Sequence, residues 1–275
     1  MGSKGCFRSK IIPLFPEHQY YVEPFGGGAS LLLAKPPSKC ETYNDLDRGL
    51  YEFFQVVSNP VLFPQFWARI SALPYSRELY EECCATWHGC RDQMERTWRW
   101  FVVARQSFCG CFCGSWGSAV CTGNSDQAET TAKWQSAIRM LPIIHQRLLK
   151  VQIECCDFRD CLKQYQGPGY LAFCDPPYVW SSRKSGRYAH EMTDQDHRDM
   201  VDILLKYDGS VILCGFPNSI YQPLEKAGWT RDEFPRKCSL VGRTKGTRNR
   251  GNDSMRTECV WRNPECLQRP LMKSK

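Results

Sequence analysis

The chain has 275 residues, of which 42% are hydrophobic and 13% aromatic, and its formal net charge at pH 7 is +7. This composition excludes a disordered protein, and the length suits one large domain or a core with an inserted subdomain. Because no apolar run approaches eighteen residues and the N-terminus has no apolar signal-peptide core, we expect no membrane span and an intracellular, cytoplasmic protein.

The first predicted elements are those that open a nucleotide-type α/β fold. An apolar strand at residues 20–22 is followed by a glycine turn, Gly26 to Gly28, and by an apolar stretch over 29–34 that predicts a helix. Glycines allow a backbone to approach a ligand closely, and a helix N-terminus offers unpaired N–H groups. The pattern therefore predicts a ligand-binding turn, although a glycine turn alone is a weak indication.

A second strand, predicted at residues 41–43, ends beside two acidic residues. Asp45 lies seventeen residues after Gly28, close to where a ribose-binding carboxylate follows such a turn. The next helix, predicted over 48–57, needs an N-cap, for which aspartate is well suited. Either Asp45 or Asp47 fits both roles.

Residues 58–150 have a different pattern from the segments around them. They are rich in tryptophan and contain polar, helix-like stretches, with no alternation typical of a strand. Residues 110–126 are rich in glycine, serine and cysteine, which indicates a loop. We predict an inserted, mainly helical subdomain over 58–150.

The α/β pattern resumes after this insert. Short apolar runs are typical of buried strands. Thr193, with Asp196 three residues later, predicts a capped helix through about Tyr207. The remaining predicted elements are strands at 151–154, 171–174 and 211–214, a helix over 219–227, and a terminal antiparallel hairpin pairing 229–231 with 257–261.

The motif Asp-Pro-Pro-Tyr at residues 175–178 directly follows the predicted strand 171–174. Two prolines cannot continue a strand, so the chain bends at its carboxyl end, where open α/β sheets bind ligands. The bend offers a carboxylate, a carbonyl group and an aromatic ring, which suit an exocyclic amine on a flat heterocycle. Ordinary surface turns also begin with Asp-Pro-Pro, so the motif alone leaves that alternative open.

The positive charge of the chain is concentrated between Arg236 and Arg256. This segment contains seven basic residues and one acidic residue, Asp253, so it alone carries a net charge of +6. A local basic stripe is typical of a polyanion-binding surface. A solvated loop is the alternative.

Seventeen cysteines are an unusually high number for this length. Since the chain is large and lacks a secretion signal, we expect free, buried cysteines that act as small apolar side chains. Cys109, Cys111 and Cys113 with the nearby His88 could hold zinc, but the usual ligand spacing is missing, and we predict no metal.

Taken in order, these motifs resemble the Dam-like, D12 class of adenine-specific DNA methyltransferases, particularly phage-type members. The resemblance implies an α/β, Rossmann-like S-adenosylmethionine-dependent methyltransferase fold with a terminal antiparallel hairpin. It also implies a catalytic domain formed by 1–57 and 151–275, and a DNA-recognition role for the helical insert, 58–150. The segments that carry the resemblance are 2–4, 21–30, 44–47 and 175–178, with support from 74–78, 188–193, 256–258 and Trp261.

The resemblance further implies transfer of a methyl group from S-adenosylmethionine to the N6 amine of an adenine flipped out of double-stranded DNA, by a protein that acts as a monomer in a bacterial or phage-infected cell. The Asp175 carboxylate and the Pro176 carbonyl would accept hydrogen bonds from the amine, and Tyr178 would stack on the base. The implied catalytic residues are Asp175, Pro176, Pro177 and Tyr178. The implied cofactor-binding residues are Lys4, Glu23, Phe25, Gly26, Gly27, Gly28, Asp45, Asp157 and Asp175, and the DNA-binding residues are Arg243, Lys245, Arg248 and Arg250.

Two departures from the family pattern affect the expected cofactor pocket. Ala29 stands where the glycine turn of the family has its third glycine, a small change that we expect to fit. The aromatic residue that the family carries just before the Gly-Ser-Lys segment (residues 2–4) is missing, which predicts an incomplete pocket wall or a truncated start.

Three other functions remain as alternatives to adenine methylation. A cytosine N4-methyltransferase uses similar amine chemistry, a protein-glutamine methyltransferase uses a related motif, and a non-catalytic relative would bind DNA with the same fold. A cytosine carbon-5 methyltransferase is excluded, because that class needs a cysteine nucleophile after proline and the chain has no Pro-Cys dipeptide.

Overall fold

A computed structural model of the chain describes residues 7–119, 128–182, 190–237 and 255–272. The chain divides into two compact units: residues 1–8 with 26–155 form the first, and residues 9–25 with 156–275 form the second. The strands form a mixed seven-stranded sheet in the order β3-β2-β1-β4-β5-β7-β6. Their bounds are β1 Tyr20–Glu23, β2 Cys40–Asn44, β3 Val151–Glu154, β4 Tyr170–Cys174, β5 Ser210–Gly215, β6 Thr230–Lys237 and β7 Met255–Arg262.

The first unit consists of the parallel pair β2 and β3 and a helical part. Its helices are α2 Arg48–Ser58, α3 Leu62–Ser71, α4 Arg77–Thr86, α5 Gln93–Gln106 and α6 Glu129–Leu148. Aromatic side chains form its centre: Phe53 of α2 stacks on Phe101 of α5 with 5.4 Å between ring centroids, and Trp134 of α6 lies 5.6 Å from Phe101. Between residues 59 and 150, the described residues form helices and no strand, as the tryptophan-rich pattern predicts.

A buried ionic cluster supports β2 in the first unit. The Glu41 carboxylate accepts a hydrogen bond from Lys35 Nζ at 2.6 Å and pairs with the Arg147 guanidinium, and the side chains of Lys35 and Glu41 are 0% and 1% exposed. Although burial favours its neutral form, the hydrogen bond from Arg147 and the charge and hydrogen bond of Lys35 lower the pKa of Glu41 below its ordinary value.

The second unit contains the parallel strands β1, β4 and β5 and the antiparallel strands β7 and β6. Strand β4 is apolar along its length and is buried after Tyr170, as expected for a central strand of a parallel sheet. The terminal hairpin is confirmed, since β6 and β7 pair over their full length. The helices of this unit are α1 Arg8–Ile11, α7 Phe158–Gln164, α8 Asp194–Leu205, α9 Gln222–Lys226 and α10 Pro264–Gln268.

The prediction of a helix over residues 29–34 is wrong. This stretch forms hydrogen-bonded turns, with Leu33 N donating to Ala29 O at 3.0 Å and Ala34 N donating to Leu31 O at 3.0 Å. Ala29 has φ of +51°, a left-handed conformation that a right-handed helix cannot contain. Since Pro36 and Pro37 follow closely, too few residues remain to form a stable helix.

Within the described ranges, no helix combines the length and the apolar character that a membrane crossing requires.

Candidate active site

Two hydrogen bonds with residues of β2 hold the glycine turn of the first unit in place. Gly26 N donates to the Asn44 carbonyl at 2.8 Å, and the Tyr43 hydroxyl donates to the Gly27 carbonyl at 2.8 Å. A Cβ atom on Gly26 would lie 2.2 Å from the Tyr43 ring, whereas a Cβ on Gly28 would have no heavy atom within 4 Å. Gly26 is therefore required by packing, whereas the φ of +49° at Gly27 favours glycine.

Ala29 occupies the third glycine position of the turn in a conformation that favours glycine. Its φ is +51° and it is fully buried, with its N–H donating to Gly26 O at 2.8 Å. A left-handed conformation costs an alanine about 1–2 kcal/mol. The turn geometry is thus retained with alanine, at a cost in stability.

The structure separates the roles that Asp45 and Asp47 share in the sequence-based prediction. Asp47 caps α2, because its Oδ1 accepts hydrogen bonds from Gly49 N at 2.9 Å and Leu50 N at 3.2 Å. Asp45 instead accepts from Gly27 N at 2.8 Å and from Asp47 N at 2.8 Å. Its carboxylate therefore lies against the glycine turn, where a ribose-binding acid is expected.

In the second unit, the carboxyl ends of three parallel strands carry polar and aromatic residues to one edge of the sheet. Glu23 ends β1, Asp175 follows β4 and Phe216 follows β5. The pairing of Val22 with Ala172 and of Cys174 with Leu213 keeps these ends level. Glu23 is buried and accepts a hydrogen bond from the Tyr21 hydroxyl at 2.7 Å.

The Asp-Pro-Pro-Tyr motif has a partly exposed acid and a buried tyrosine. Asp175 and Pro177 are half-buried, whereas Pro176 and Tyr178 are buried. The Tyr178 hydroxyl donates a hydrogen bond to Oε1 of Glu258, a residue of β7, and its ring contacts Phe216 in an edge-on arrangement with 4.6 Å between centroids. Burial, and then the charges of Asp175 and Glu258, hold the pKa of Tyr178 well above its ordinary value. The phenol therefore stays neutral and acts as the donor.

Sequence reasoning missed the roles of Glu258 and Phe216 at this site. A lone carboxylate within the buried run of β7 is a sign that could have been used, because buried charges require a partner. Nothing in the sequence pattern identifies that partner, which lies 80 residues away.

Phe25 and Asp157 lie around a second aromatic residue that the sequence reasoning also missed. The ring of Phe25 packs on the buried Phe158 at 5.3 Å, and the Arg159 guanidinium lies 4.5 Å from the centroid of the Phe158 ring. Asp157 caps α7 by accepting from Arg159 N at 2.9 Å. Arg159 also pairs with Asp196 at 2.5 Å, which lowers the pKa of Asp196 to about 2.

Five predicted site residues lie outside the described residues. These are Lys4 of the proposed cofactor pocket and the four cations of the basic segment, Arg243, Lys245, Arg248 and Arg250. The segment that holds the cations is the connection between β6 and β7.

In the part of the chain that the structure describes, no three His, Cys, Asp or Glu side chains are grouped as a metal site, and this part includes Cys109, Cys111, Cys113 and His88. Six of the described cysteines, including Cys83 and Cys174, are buried as expected, and burial raises the pKa of the Cys83 thiol to about 12. The expectation of burial is wrong for Cys109, Cys111 and Cys113, which are exposed.

A mixed sheet that carries a glycine turn after its first strand and an Asp-Pro-Pro-Tyr bend after a central parallel strand defines the class: this is a Rossmann-like methyltransferase. The family of D12 class N6 adenine-specific DNA methyltransferases matches residues 1–214, and the chain belongs to this family. It is therefore an enzyme that methylates adenine N6 in DNA with S-adenosylmethionine as donor, which decides against the cytosine, protein-glutamine and non-catalytic alternatives. No individual curated protein matches the chain.

Proposed function

We propose that Asp175 and Pro176 hold the adenine amine during methyl transfer. The nitrogen is a weak nucleophile because its lone pair is delocalised into the ring. Hydrogen bonds from the amine to the Asp175 carboxylate and the Pro176 carbonyl favour a more pyramidal nitrogen, whose lone pair can point at the methyl group. Catalysis then depends on orientation and on stabilisation of the positive charge that develops on nitrogen. The observation that carries the proposal is a partly exposed carboxylate fixed after a buried strand by two prolines.

Each unit, taken by itself, carries side chains suited to contacts with S-adenosylmethionine, which supplies an activated methyl group on sulfonium. In the first unit, Asp45 is an acceptor for ribose hydroxyls, and the turn from Gly26 to Gly28 leaves open space beside Gly27 and Gly28. In the second unit, Glu23, Phe25, Asp157 and Asp175 are the proposed contacts, together with Lys4 near the N-terminus.

The aromatic ring of Tyr178 is the proposed stacking surface for the flipped adenine. Its hydroxyl is engaged by Glu258, and its contact with Phe216 is edge-on at 73° and not stacked. Aromatic stacking stabilises an extrahelical base and so offsets part of the unstacking cost of a few kcal/mol.

DNA contacts are proposed for two further parts of the chain. The helical insert, 58–150, is the candidate for recognition of the DNA sequence. It interrupts the proposed catalytic domain, which is made of 1–57 and 151–275. The cations Arg243, Lys245, Arg248 and Arg250 are proposed to contact backbone phosphates, because the segment between β6 and β7 concentrates positive charge. We further propose that the enzyme is a Dam-like, phage-type member that acts as a monomer on double-stranded DNA in the cytoplasm.

The test of the catalytic proposal is the variant Asp175→Ala, with Asp208→Ala as the control because Asp208 is an exposed aspartate before β5. We expect Asp175→Ala to lower kcat by at least about a hundredfold, as when one preorganised polar group is lost from an active site. DNA affinity, measured by fluorescence anisotropy, should stay close to that of the parent. Nucleoside mass spectrometry must show label from the donor in N6-methyladenine. An active Asp175→Ala enzyme would refute the mechanism.

A further inference from the structure

The hydrogen bond between Tyr178 and Glu258 joins the catalytic motif to the terminal hairpin. Tyr178 belongs to the bend after β4, and Glu258 lies in β7, where it pairs with Phe234 of β6. Both residues are in the second unit, and Glu258 is 2% exposed. The chain thus places a carboxylate in its core beside the residue that is proposed to stack on the base.

A buried carboxylate is costly, so its position requires an explanation. Transfer of an isolated charge out of water is strongly unfavourable unless hydrogen bonds compensate. A nonpolar side chain at position 258, between half-buried Thr257 and buried Cys259, would occupy the same buried position in β7 without this cost. The carboxylate provides an acceptor for the hydroxyl of Tyr178, which an apolar residue cannot provide.

The tyrosine gains a fixed orientation from this hydrogen bond. A phenol ring that packs only through its faces and edges can tilt about its side-chain torsions, whose χ2 well is broad. The bond to Glu258 fixes the far end of the ring, and Phe216 contacts it edge-on at 4.6 Å. Small displacements of a positioning group lower reaction rates by large factors, because the reacting atoms must be in line.

We propose that Glu258 is a positioning residue for methyl transfer, which fixes the ring of Tyr178 through its hydroxyl so that the flipped adenine is held in line with the methyl donor. The inference rests on the role of Tyr178 given under Proposed function. It adds a residue from outside the segment that the family matches, which ends at residue 214. Glu258 does not contact the reacting atoms in this proposal.

Four variants test this role: Glu258→Gln, Glu258→Ala, Tyr178→Phe and the double variant Tyr178→Phe with Glu258→Ala. Glutamine keeps a carbonyl acceptor for the phenol, so we expect kcat within about threefold of the parent, a loss below 1 kcal/mol. Glu258→Ala and Tyr178→Phe each break the bond, and each should lower kcat by about tenfold to a hundredfold. Because both changes remove the same interaction, the double variant should be no slower than the slower single variant.

Two readouts separate positioning from a general loss of structure. The KM for S-adenosylmethionine reports on the cofactor pocket, and the urea midpoint reports on folding. The control for charge removal is Glu233→Gln, because Glu233 is an exposed carboxylate of β6. A duplex with 2-aminopurine at the methylated adenine, once that site has been mapped by long-read sequencing, reports on base flipping and stacking. In Glu258→Ala and Tyr178→Phe, stacking should quench the flipped 2-aminopurine less, so its fluorescence should be higher than with the parent enzyme. The fluorescence should equal that of the parent in Glu258→Gln and Glu233→Gln.

Either of two results would overturn the inference: parental kcat and fluorescence in Glu258→Ala, or rate losses that multiply in the double variant. If Glu258→Ala alone fails to fold, Tyr178→Phe and Glu258→Gln still decide, because parental kcat and fluorescence in Tyr178→Phe refute the role of the hydroxyl. Failure of the underlying function is recognised separately, since the parent enzyme would then form no N6-methyladenine or Asp175→Ala would remain active.

Discussion

The glycine turn gives the sharpest prediction for stability, because its three glycines differ in what surrounds them. A methyl group on Gly26 would lie 2.2 Å and 2.4 Å from two carbons of the Tyr43 ring. This ring cannot move away easily: it is fully buried, packs on Phe54 at 4.6 Å, and its hydroxyl is bonded to the Gly27 carbonyl. We therefore expect Gly26→Ala to be strongly destabilising.

The size of the loss follows from two contributions. Overpacking a well-filled site costs about 1–3 kcal/mol. A shift of Tyr43 that relieves the clash also breaks its hydrogen bond to Gly27, which contributes about 1 kcal/mol. Together these lower the free energy of unfolding by roughly 2–4 kcal/mol.

The neighbouring glycines are matched controls for the same substitution. Gly27→Ala meets no atom within 4 Å but has φ of +49°, so it should cost about 1–2 kcal/mol from backbone strain alone. Gly28→Ala meets no atom and has no positive φ, so it should stay within about 0.5 kcal/mol of the parent. Urea unfolding followed by far-UV circular dichroism measures all three. Equal losses at Gly26 and Gly28 would refute the packing argument.

Two further predictions concern charge. Replacing Lys245, Arg248 and Arg250 with glutamine should weaken DNA binding and make the slope of log K against log salt shallower by about 2.7, since each phosphate contact contributes about 0.9; an unchanged slope would assign this segment to solvent. Glu41→Gln should lower stability at pH 7 by about 3 kcal/mol, because Lys35 and Arg147 lose their anionic partner. Since the folded-state pKa of Glu41 is lowered, the advantage of the parent is complete above pH 4.5 and must shrink as the pH falls through that lowered pKa, which urea titrations at several pH values would show.

The sequence predicts those parts of the fold that depend on local pattern. Strands β4 and β5 are short, mostly apolar runs, and the predicted bounds of β1 to β5 all agree with the structure to within about one residue at either end. The bend at Asp175 follows from two prolines after such a run. The capping box of Thr193 and Asp196 is likewise local, and it is present at the start of α8.

The features that the sequence did not predict depend on conformation or on distant partners. The stretch after Gly28 has helical composition, but the left-handed backbone of Ala29 prevents the helix, and composition does not reveal a backbone angle. The partner of Tyr178 lies 80 residues further on, on a strand whose register is set by pairing with β6 and β5. Local periodicity contains no information about such a contact.

Strand β7 connects the proposed DNA contact to the proposed catalytic contact. It begins at Met255, inside the basic segment that ends at Arg256, and Glu258 is its fourth residue. A change in the basic segment that disturbs the start of β7 would therefore also reach Tyr178, and a fall in kcat alone would not distinguish lost phosphate contacts from a displaced tyrosine. The salt slope does distinguish them, because it counts released counterions and is insensitive to the orientation of a buried ring. A segment variant with a reduced salt slope and parental stacking fluorescence would assign its cations to the DNA backbone alone.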